Sequence, residues 1–393
     1  MSANRHSPGD LKQMQSLPLE AKIEMSQLRI EAWYQAWWRY EIFDDDTGKT
    51  RFDTIDNRDI CAEPKMKDSE YIVSAYPGSV YVSFSGGIDS TVLKHMVDSM
   101  YDDVPSVFVN TGLEYPEIQK FAKSQKNVVV LRPEMRFDQV VKEYGYPVAS
   151  KEVAGYVREA KHSKSEKLRT MRTQRLMGEY RRPDGMLSEY NCPKWGFLLD
   201  APFEVSDKCC AVMKKHPLDK YAKETGRKGI IGTMAAESRF RRQSWIRYGC
   251  NMFDSPTKQL SRPLSFWTTQ DILHYIKKYD VPYCSVYGDI QIKRTVDNDR
   301  IFEGQMNLID YLGCYEPEDT LETTGCDRTG CIFCMFGCHL EKEPNRFQRL
   351  KQTHPRQYDY CIKGGEMVNG MWQPSKEGLG LGKVLDYIGV KYD

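Results

Sequence analysis

Short apolar runs separated by helical spacing mark the middle of this chain. Val80–Ser83, Val107–Asn110 and Val128–Leu131 have the length and β-branched content of buried parallel strands. Amphipathic spacing between them predicts helices at about residues 90–101 and 115–125. A fourth run, Gly229-Ile230-Ile231-Gly232, reads as another strand. The order β-α-β-α-β predicts an open, mostly parallel sheet with ligands at the strand carboxyl ends. Upstream, Ile30, Trp33, Tyr34 and Trp37 follow i, i+3, i+4, i+7 and predict a helix over 19–40, packed on its aromatic stripe. Residues 1–18 read as disordered, and 41–76 as an acidic loop insertion. Residues 150–205 read as irregular. After 258, Thr268 or Thr269 is a candidate N-cap for a helix at about 269–279.

One turn in this pattern carries chemistry. Ser83-Phe84-Ser85-Gly86-Gly87-Ile88-Asp89-Ser90 joins the first strand to its helix. Two glycines let backbone N–H groups turn toward an anion, and the helix adds its own free N–H groups and dipole. Ser85 and Ser90 supply hydroxyl donors. Asp89 fits a phosphate site that carries Mg²⁺, because a hard cation takes carboxylate oxygen. A plain glycine turn is the bland alternative, but the eight residues stand in the strand–turn–helix setting that a phosphate loop needs. Neither the Walker nor the G-x-G-x-x-G pattern is present.

Composition narrows the classes. The chain has 393 residues, 28% of them charged, and a net charge of +1, so no global field draws it to nucleic acid or membrane. No apolar run is long enough to span a bilayer, and the first residues lack a signal-peptide core, so the expected location is the cytoplasm. Charge is local instead: from Lys151 to Arg182 there are ten Lys/Arg against four Asp/Glu. That segment is either a nucleic-acid contact or a solvated helix face.

Twelve cysteines are many for a cytosolic chain and point to metal or redox chemistry rather than disulfides. Cys209 and Cys210 are adjacent; Cys331 and Cys334 form a C-x-x-C. Adjacent thiolates fit poorly on one zinc and better on separate corners of an iron–sulfur cluster. Cys61, Cys192, Cys250, Cys284, Cys314 and Cys361 read as ordinary buried thiols.

These motifs resemble a known family. The loop Ser85-Gly86-Gly87-Ile88-Asp89-Ser90 is similar to the PP-loop of the ATP-pyrophosphatase superfamily. The Cys209-Cys210 pair with a distant C-x-x-C resembles the iron–sulfur adenylylsulfate reductases of the phosphoadenosine phosphosulfate (PAPS) reductase-like family. Asn110-Thr111-Gly112 to Glu117, and Gly232-Thr233 to Glu237-Ser238-Arg239, are similar to further segments of that family. The resemblance spans residues 77–340 and implies a Rossmann-like adenine nucleotide alpha-hydrolase fold. It also implies a 4Fe-4S cluster on Cys209, Cys210, Cys331 and Cys334, with Cys326 and Cys338 as rivals to the first two. Nucleotide contacts would come from Ser83, Ser85, Gly86, Gly87, Asp89, Ser90, Thr111, Gly112, Gly232 and Glu237. Asp89 and Arg239 would carry the chemistry. The implied domains are 1–76, a nucleotide domain at 77–257 with the basic insertion 150–205, and a cysteine-rich region at 258–393.

Two departures shape the expected function. The reductases modify the PP-loop, whereas this chain keeps the form suited to ATP. They also attack with a cysteine in a C-terminal motif, and residues 385–393 contain no cysteine. The leading expectation is adenylation by ATP with pyrophosphate release, coupled to sulfur transfer and drawing on a sulfur donor protein. Nucleic acid would be an acceptor held by 151–182. The alternatives are a sulfonucleotide reductase fed by a thioredoxin-like reductant, and a nucleotide-sensing cluster protein.

Overall fold

The structure is a computed structural model that describes residues 5–59, 62–255, 259–293 and 319–393. Two compact units form, each drawn from separate stretches of the chain. The first takes 1–108, 116–130 and 220–329; the second takes 109–115, 131–219 and 330–393.

The first unit begins where disorder was expected. Pro8–Gln15 (α1) is helical. Ser7 accepts from the Asp10 backbone N–H at 3.2 Å, and Asp10 accepts from the Ser7 N–H at 2.8 Å, a reciprocal capping box that the expectation missed. Leu19–Ala36 (α2) follows, burying Ile30 and Trp33 completely. The helix stops four residues short of its expected end, because aromatic and β-branched residues from Trp37 onward alternate with polar ones and pair as a strand.

That strand corrects the reading of 41–76 as a loop insertion. Trp37–Asp44 (β1), Lys49–Asp56 (β2) and Glu70–Pro77 (β3) make a three-stranded antiparallel sheet in the order β2-β1-β3. The run Asp44-Asp45-Asp46-Thr47-Gly48 is the β1–β2 turn, with Gly48 at φ +63°. Most side chains on β2 and β3 are half-buried or exposed, so the pattern lacked the apolar alternation that reveals a strand.

The predicted parallel sheet is present. Val80–Phe84 (β4), Ser106–Val109 (β5), Val128–Leu131 (β6) and Lys228–Ile231 (β7) lie in the order β6-β5-β4-β7, with β4 parallel to both β5 and β7. Ile88–Asp98 (α3) and Pro116–Ser124 (α4) follow β4 and β5. Val92, Leu93, Met96 and Val97 seat α3 with no exposed surface, each contributing roughly 1.5–3 kcal/mol if buried in full. This is the Rossmann-like α/β class expected from the sequence.

Two later helices complete the description of this unit. Arg239–Tyr248 (α5) is capped by Ser238, and Thr269–Tyr279 (α6) by Thr268 in a capping box with Asp271. Asp271 also holds Lys22 of α2 at 2.8 Å in a buried ion pair. Ile290–Ile292 (β8) and Leu321–Thr323 (β9) pair antiparallel, and backbone bonds from Gly325 to Tyr287 and from Cys326 to Val286 tie the next loop down.

The second unit has its own core, which includes Tyr146, Val157, Phe203, Phe347 and Leu385. Within 150–205, read as irregular, helices run over Lys151–His162 and Glu166–Met177. Ser150 and Ser165 cap them by accepting from Val153 and Leu168 N–H groups. Some of their cations are paired: Arg158 with Asp207 at 2.8 Å, Arg172 with Glu159 at 2.7 Å and Lys161 with Glu204 at 3.8 Å. No helix among the described residues is long and apolar enough to cross a membrane.

Candidate active site

The glycine turn stands at the carboxyl end of β4, an inner strand of the parallel sheet, at the N-terminus of α3. Gly86 has φ +75°, and a Cβ there would stand 2.9 Å from Ile118 Cγ2, so glycine is required. Gly232, just past β7, is required by proximity: its Cβ would meet the Asp89 carbonyl oxygen at 2.9 Å. No side chain caps α3 at Gly87. Its first N–H groups are therefore turned toward hydroxyls and open space. Ile88 N–H donates to the Tyr287 hydroxyl at 3.3 Å, and that hydroxyl pairs with Thr329 Oγ1 at 2.6 Å. Ser90 Oγ accepts from the Ser85 N–H at 3.1 Å and lies 3.0 Å from Ser85 Oγ, which fixes the loop.

The cavity over this turn has a volume of about 430 Å³. Ser85, Gly87, Asp89 and Ser90 line it from the loop, Gly232 and Glu237 from the β7 side. Arg241 and Arg328 also line it, and both pair with the Glu237 carboxylate. Glu237 Oε1 accepts from the Met234 N–H at 2.8 Å, which holds the acid in place. Asp89 makes no hydrogen bond or ion pair among the described residues. Burial, then the Glu237 charge, push its carboxyl up to about 6, against a smaller opposing pull from the two arginines.

Chemically this is an anion site with convertible charge. Helix N–H groups and hydroxyls face the cavity, two guanidiniums are parked on a carboxylate, and one acid lacks a counter-ion. A ligand carrying several phosphate charges would draw the arginines off Glu237, and a cation carried with it would relieve Asp89.

Of the residues expected here, Ser85, Gly87, Asp89, Ser90, Gly232 and Glu237 line the cavity. Ser83 lies half-buried within β4, and Gly86 shapes the turn from beneath. Arg239 is exposed at the start of α5 and is not among the lining residues; Arg241, two positions on, is. Thr111 and Gly112 belong to the second unit, where Thr111 Oγ1 donates to Glu114 at 2.8 Å. Sequence reasoning missed Arg241, Tyr287, Arg328 and Thr329. Only the neighbouring arginines 239–242 signalled the first of these.

The second unit gathers cysteines. Cys209, Cys210, Cys331 and Cys334 line one small space of about 20 Å³ with Leu113, Phe137, Pro147, Met213 and Lys214. A π-helical turn at Ala211–Lys215 follows the pair, a local widening common at functional sites. Cys209 Sγ and Cys210 Sγ are 3.9 Å apart, as free thiols. The hydrogen bond from Cys209 lowers the Cys210 thiol, helped by Lys151 and Lys214, and the shared proton raises Cys209. Burial pushes Cys331 up to about 11 and raises Cys334. Lys214 reaches Glu114 at 3.4 Å. Among the described residues, no group of three or more His, Cys, Asp or Glu side chains is arranged to hold a metal ion; the four sulfurs line a space instead.

The rival ligands differ. Cys326 belongs to the first unit, and Cys338 is buried in the second unit's core. Cys250, Cys284 and Cys361 are buried and Cys192 half-buried; Cys61 and Cys314 lie outside the described residues. Burial raises the Cys361 thiol strongly.

A family model described as the phosphoadenosine phosphosulfate reductase domain matches residues 79–195 and 193–335. The chain belongs to that family. It is thus an enzyme of the PAPS reductase type, within sulfur metabolism, and adenine-nucleotide-like binding goes with the family. No curated protein matches the chain. Among solved structures it is similar to a PAPS reductase from Candida auris, solved as a phosphate complex, at 15% identity. That similarity covers 52% of this chain and 75% of the other, with a TM-score of 0.28, and adds nothing to the family match.

Proposed function

We propose that the chain binds ATP at the Ser85–Ser90 loop and transfers its adenylyl group to an acceptor, releasing pyrophosphate, as the activating half of a sulfur-transfer reaction. An acceptor oxygen attacks the α-phosphorus, the α–β bridging P–O bond breaks, and pyrophosphate carries the electron pair away. The acceptor proton passes to solvent or to pyrophosphate. Such transfers depend on positioning and charge stabilisation. The α3 N–H groups, Ser85 and Ser90 hold the β- and γ-phosphates, and Arg241 and Arg328 leave Glu237 to meet the charge on the leaving pyrophosphate. Mg²⁺ would sit on Asp89 and phosphate oxygens, where it supplies charge neutralisation. The observation that carries this reading is the unpaired Asp89 beside two reserve arginines in the cavity of an unmodified loop.

Cys209, Cys210, Cys331 and Cys334 would hold a 4Fe-4S cluster. Their chemistry fits: four soft sulfur donors face one small, largely apolar space, and the Cys209 hydrogen bond with Lys151 and Lys214 already favours the Cys210 thiolate. Such a cluster supplies sulfur-handling or electron-transfer chemistry when bound. A sulfur donor protein is the partner this requires, with nucleic acid as an acceptor class.

Family membership favours a second reading, a sulfonucleotide reductase that releases sulfite with electrons from a thioredoxin-like protein. It needs an accessible nucleophilic thiol. Cys361, the candidate nearest the C-terminus, has no exposed surface, which counts against it. The test offers ATP with labelled pyrophosphate, and adenylylsulfate or its 3′-phosphate with reductant, in parallel. Exchange that needs Asp89 supports adenylation; sulfite release without exchange overturns it.

A further inference from the structure

The two glycines of the phosphate loop are there for different reasons. Gly86 is left-handed, at φ +75°. Gly87 is not: at φ −77° and ψ 157° its backbone is extended, a conformation that ordinary side chains adopt. Its reason is space. A Cβ on Gly87 would stand 3.2 Å from the Tyr287 hydroxyl, 3.2 Å from Thr329 Oγ1 and 3.4 Å from Ser85 Oγ. Three hydroxyls from three segments converge on one point above the loop, and all three residues line the nucleotide cavity.

The hydrogens at this point do not all have takers. Ile88 N–H can only donate, so the Tyr287 oxygen accepts from it at 3.3 Å. Tyr287 and Thr329 share one hydrogen bond at 2.6 Å. Two hydroxyls carry two hydrogens, and that bond uses one. Among the described residues neither hydroxyl makes another hydrogen bond. Tyr287 is 2% exposed, and burial pushes its phenol up to about 12, so it keeps its proton. With its oxygen taken by Ile88, it donates to Thr329. The O–H left for the cavity is that of Thr329, which is half-buried. A mere tie between segments would need neither the third hydroxyl of Ser85 nor a bare glycine beneath it.

Backbone bonds fix this approach. Tyr287 ends the 3₁₀ turn Ser285–Tyr287. Gly325 N–H donates to the Tyr287 carbonyl at 2.8 Å and Cys326 N–H to that of Val286 at 3.0 Å. Thr329 follows three residues on, beside Arg328.

We propose that Thr329 is a substrate-contacting residue that donates to a phosphate oxygen of a pyrophosphoryl group seated over Gly87, with Tyr287 as its positioning residue. Ser85 closes the other side of the seat. Arg241 and Arg328 line the same cavity, and two cations suit the charge of a pyrophosphoryl group better than that of a single phosphate ester. The seat therefore selects a nucleoside triphosphate over a monophosphate. The inference rests on the adenylation reading for the carrier of the pyrophosphoryl group, ATP; the seat itself needs only pyrophosphate.

The test titrates the full chain by calorimetry with inorganic pyrophosphate and with AMP, each with Mg²⁺. Thr329→Val should weaken pyrophosphate about tenfold or more, as for one lost hydrogen bond to a charged group, and leave AMP within about twofold. Thr329→Ala carries the same expectation. Thr329→Ser should restore pyrophosphate to within about threefold of wild type, since the hydroxyl returns. Tyr287→Phe should weaken pyrophosphate about threefold or more alone and add nothing to Thr329→Val, because it acts through the threonine. Gly87→Ala, whose methyl fills the seat, should match the loss in Thr329→Val. All should keep wild-type circular dichroism. Unchanged pyrophosphate affinity in Thr329→Val, an equal loss for AMP, no recovery in Thr329→Ser, additive losses at Tyr287 and Thr329, or no pyrophosphate binding by the wild type would each overturn the proposal. Pyrophosphate seated in this way, without ATP–pyrophosphate exchange in the wild type, would sink the adenylation reading and leave the seat standing. Exchange with unchanged affinity in Thr329→Val would do the reverse.

Discussion

The nucleotide cavity and the cysteine space gather titratable groups in opposite ways. The first is lined by charge in balance: Glu237 against Arg241 and Arg328, with Asp89 left over. Its groups can change partners, so the site suits a charged substrate that enters and leaves. The second is walled by Leu113, Phe137, Pro147 and Met213, and the cations acting on its four thiols are Lys151, Lys214 and Arg346. A resident cluster of the kind proposed would take up those sulfurs as thiolates and supply their counter-charge. On the proposed reading, one site serves turnover and the other retention.

The comparison can be broken most sharply at Asp89. Asp89→Asn should lower ATP–pyrophosphate exchange by about 10²-fold or more if the carboxylate holds the metal on the phosphates. Cysteine changes come next. Cys209→Ser or Cys331→Ser should abolish iron content and visible absorbance in anaerobically purified protein, whereas Cys326→Ser should keep both. ATP affinity should be unchanged in all three, since the two sites are held by different groups.

A third effect is on stability and has a definite sign. The Asp89 carboxyl titrates at about 6 in the fold, above its ordinary 3.8. The ionised form is therefore disfavoured in the folded chain, at a cost fully present above pH 6 and gone below about pH 4. Asp89→Asn should be more stable than wild type at pH 7.5 by up to about 2–3 kcal/mol. The gain should vanish toward pH 4, as read by urea unfolding at each pH. Mg·ATP should stabilise the wild type and not the variant. The smallest effect is at Gly86. Gly86→Ala forces a side chain into a left-handed backbone against Ile118, and should cost about 1–3 kcal/mol. Its loss of nucleotide affinity should track that loss of stability.

Legibility in the sequence followed the same division. The phosphate loop and its sheet were readable because Val80–Phe84 is a continuous apolar run and Ser85–Ser90 is a compact motif. The four cysteines of the second cavity were readable only through the family resemblance, since 121 positions separate Cys210 from Cys331 and spacing cannot join them. The sheet of β1–β3 was hidden because its strands are half-exposed on both faces, so neither period stands out. Arg241 was missed in favour of Arg239 because choosing among adjacent arginines requires the helix phase, which the Ser238 cap sets. Arg328, Thr329 and Tyr287 come from segments whose approach to the loop is decided by the β8–β9 pairing and Tyr287's bond to Ile88. No local pattern encodes that.

The most direct measurement is isotope exchange between pyrophosphate and ATP, made on anaerobically purified wild-type chain and on Asp89→Asn, with adenylylsulfate and its 3′-phosphate as parallel substrates. Activation by ATP predicts acceptor-dependent exchange in the wild type, its loss in the variant, and no sulfite from either sulfonucleotide. Sulfite release with reductant and no exchange under any acceptor would contradict it.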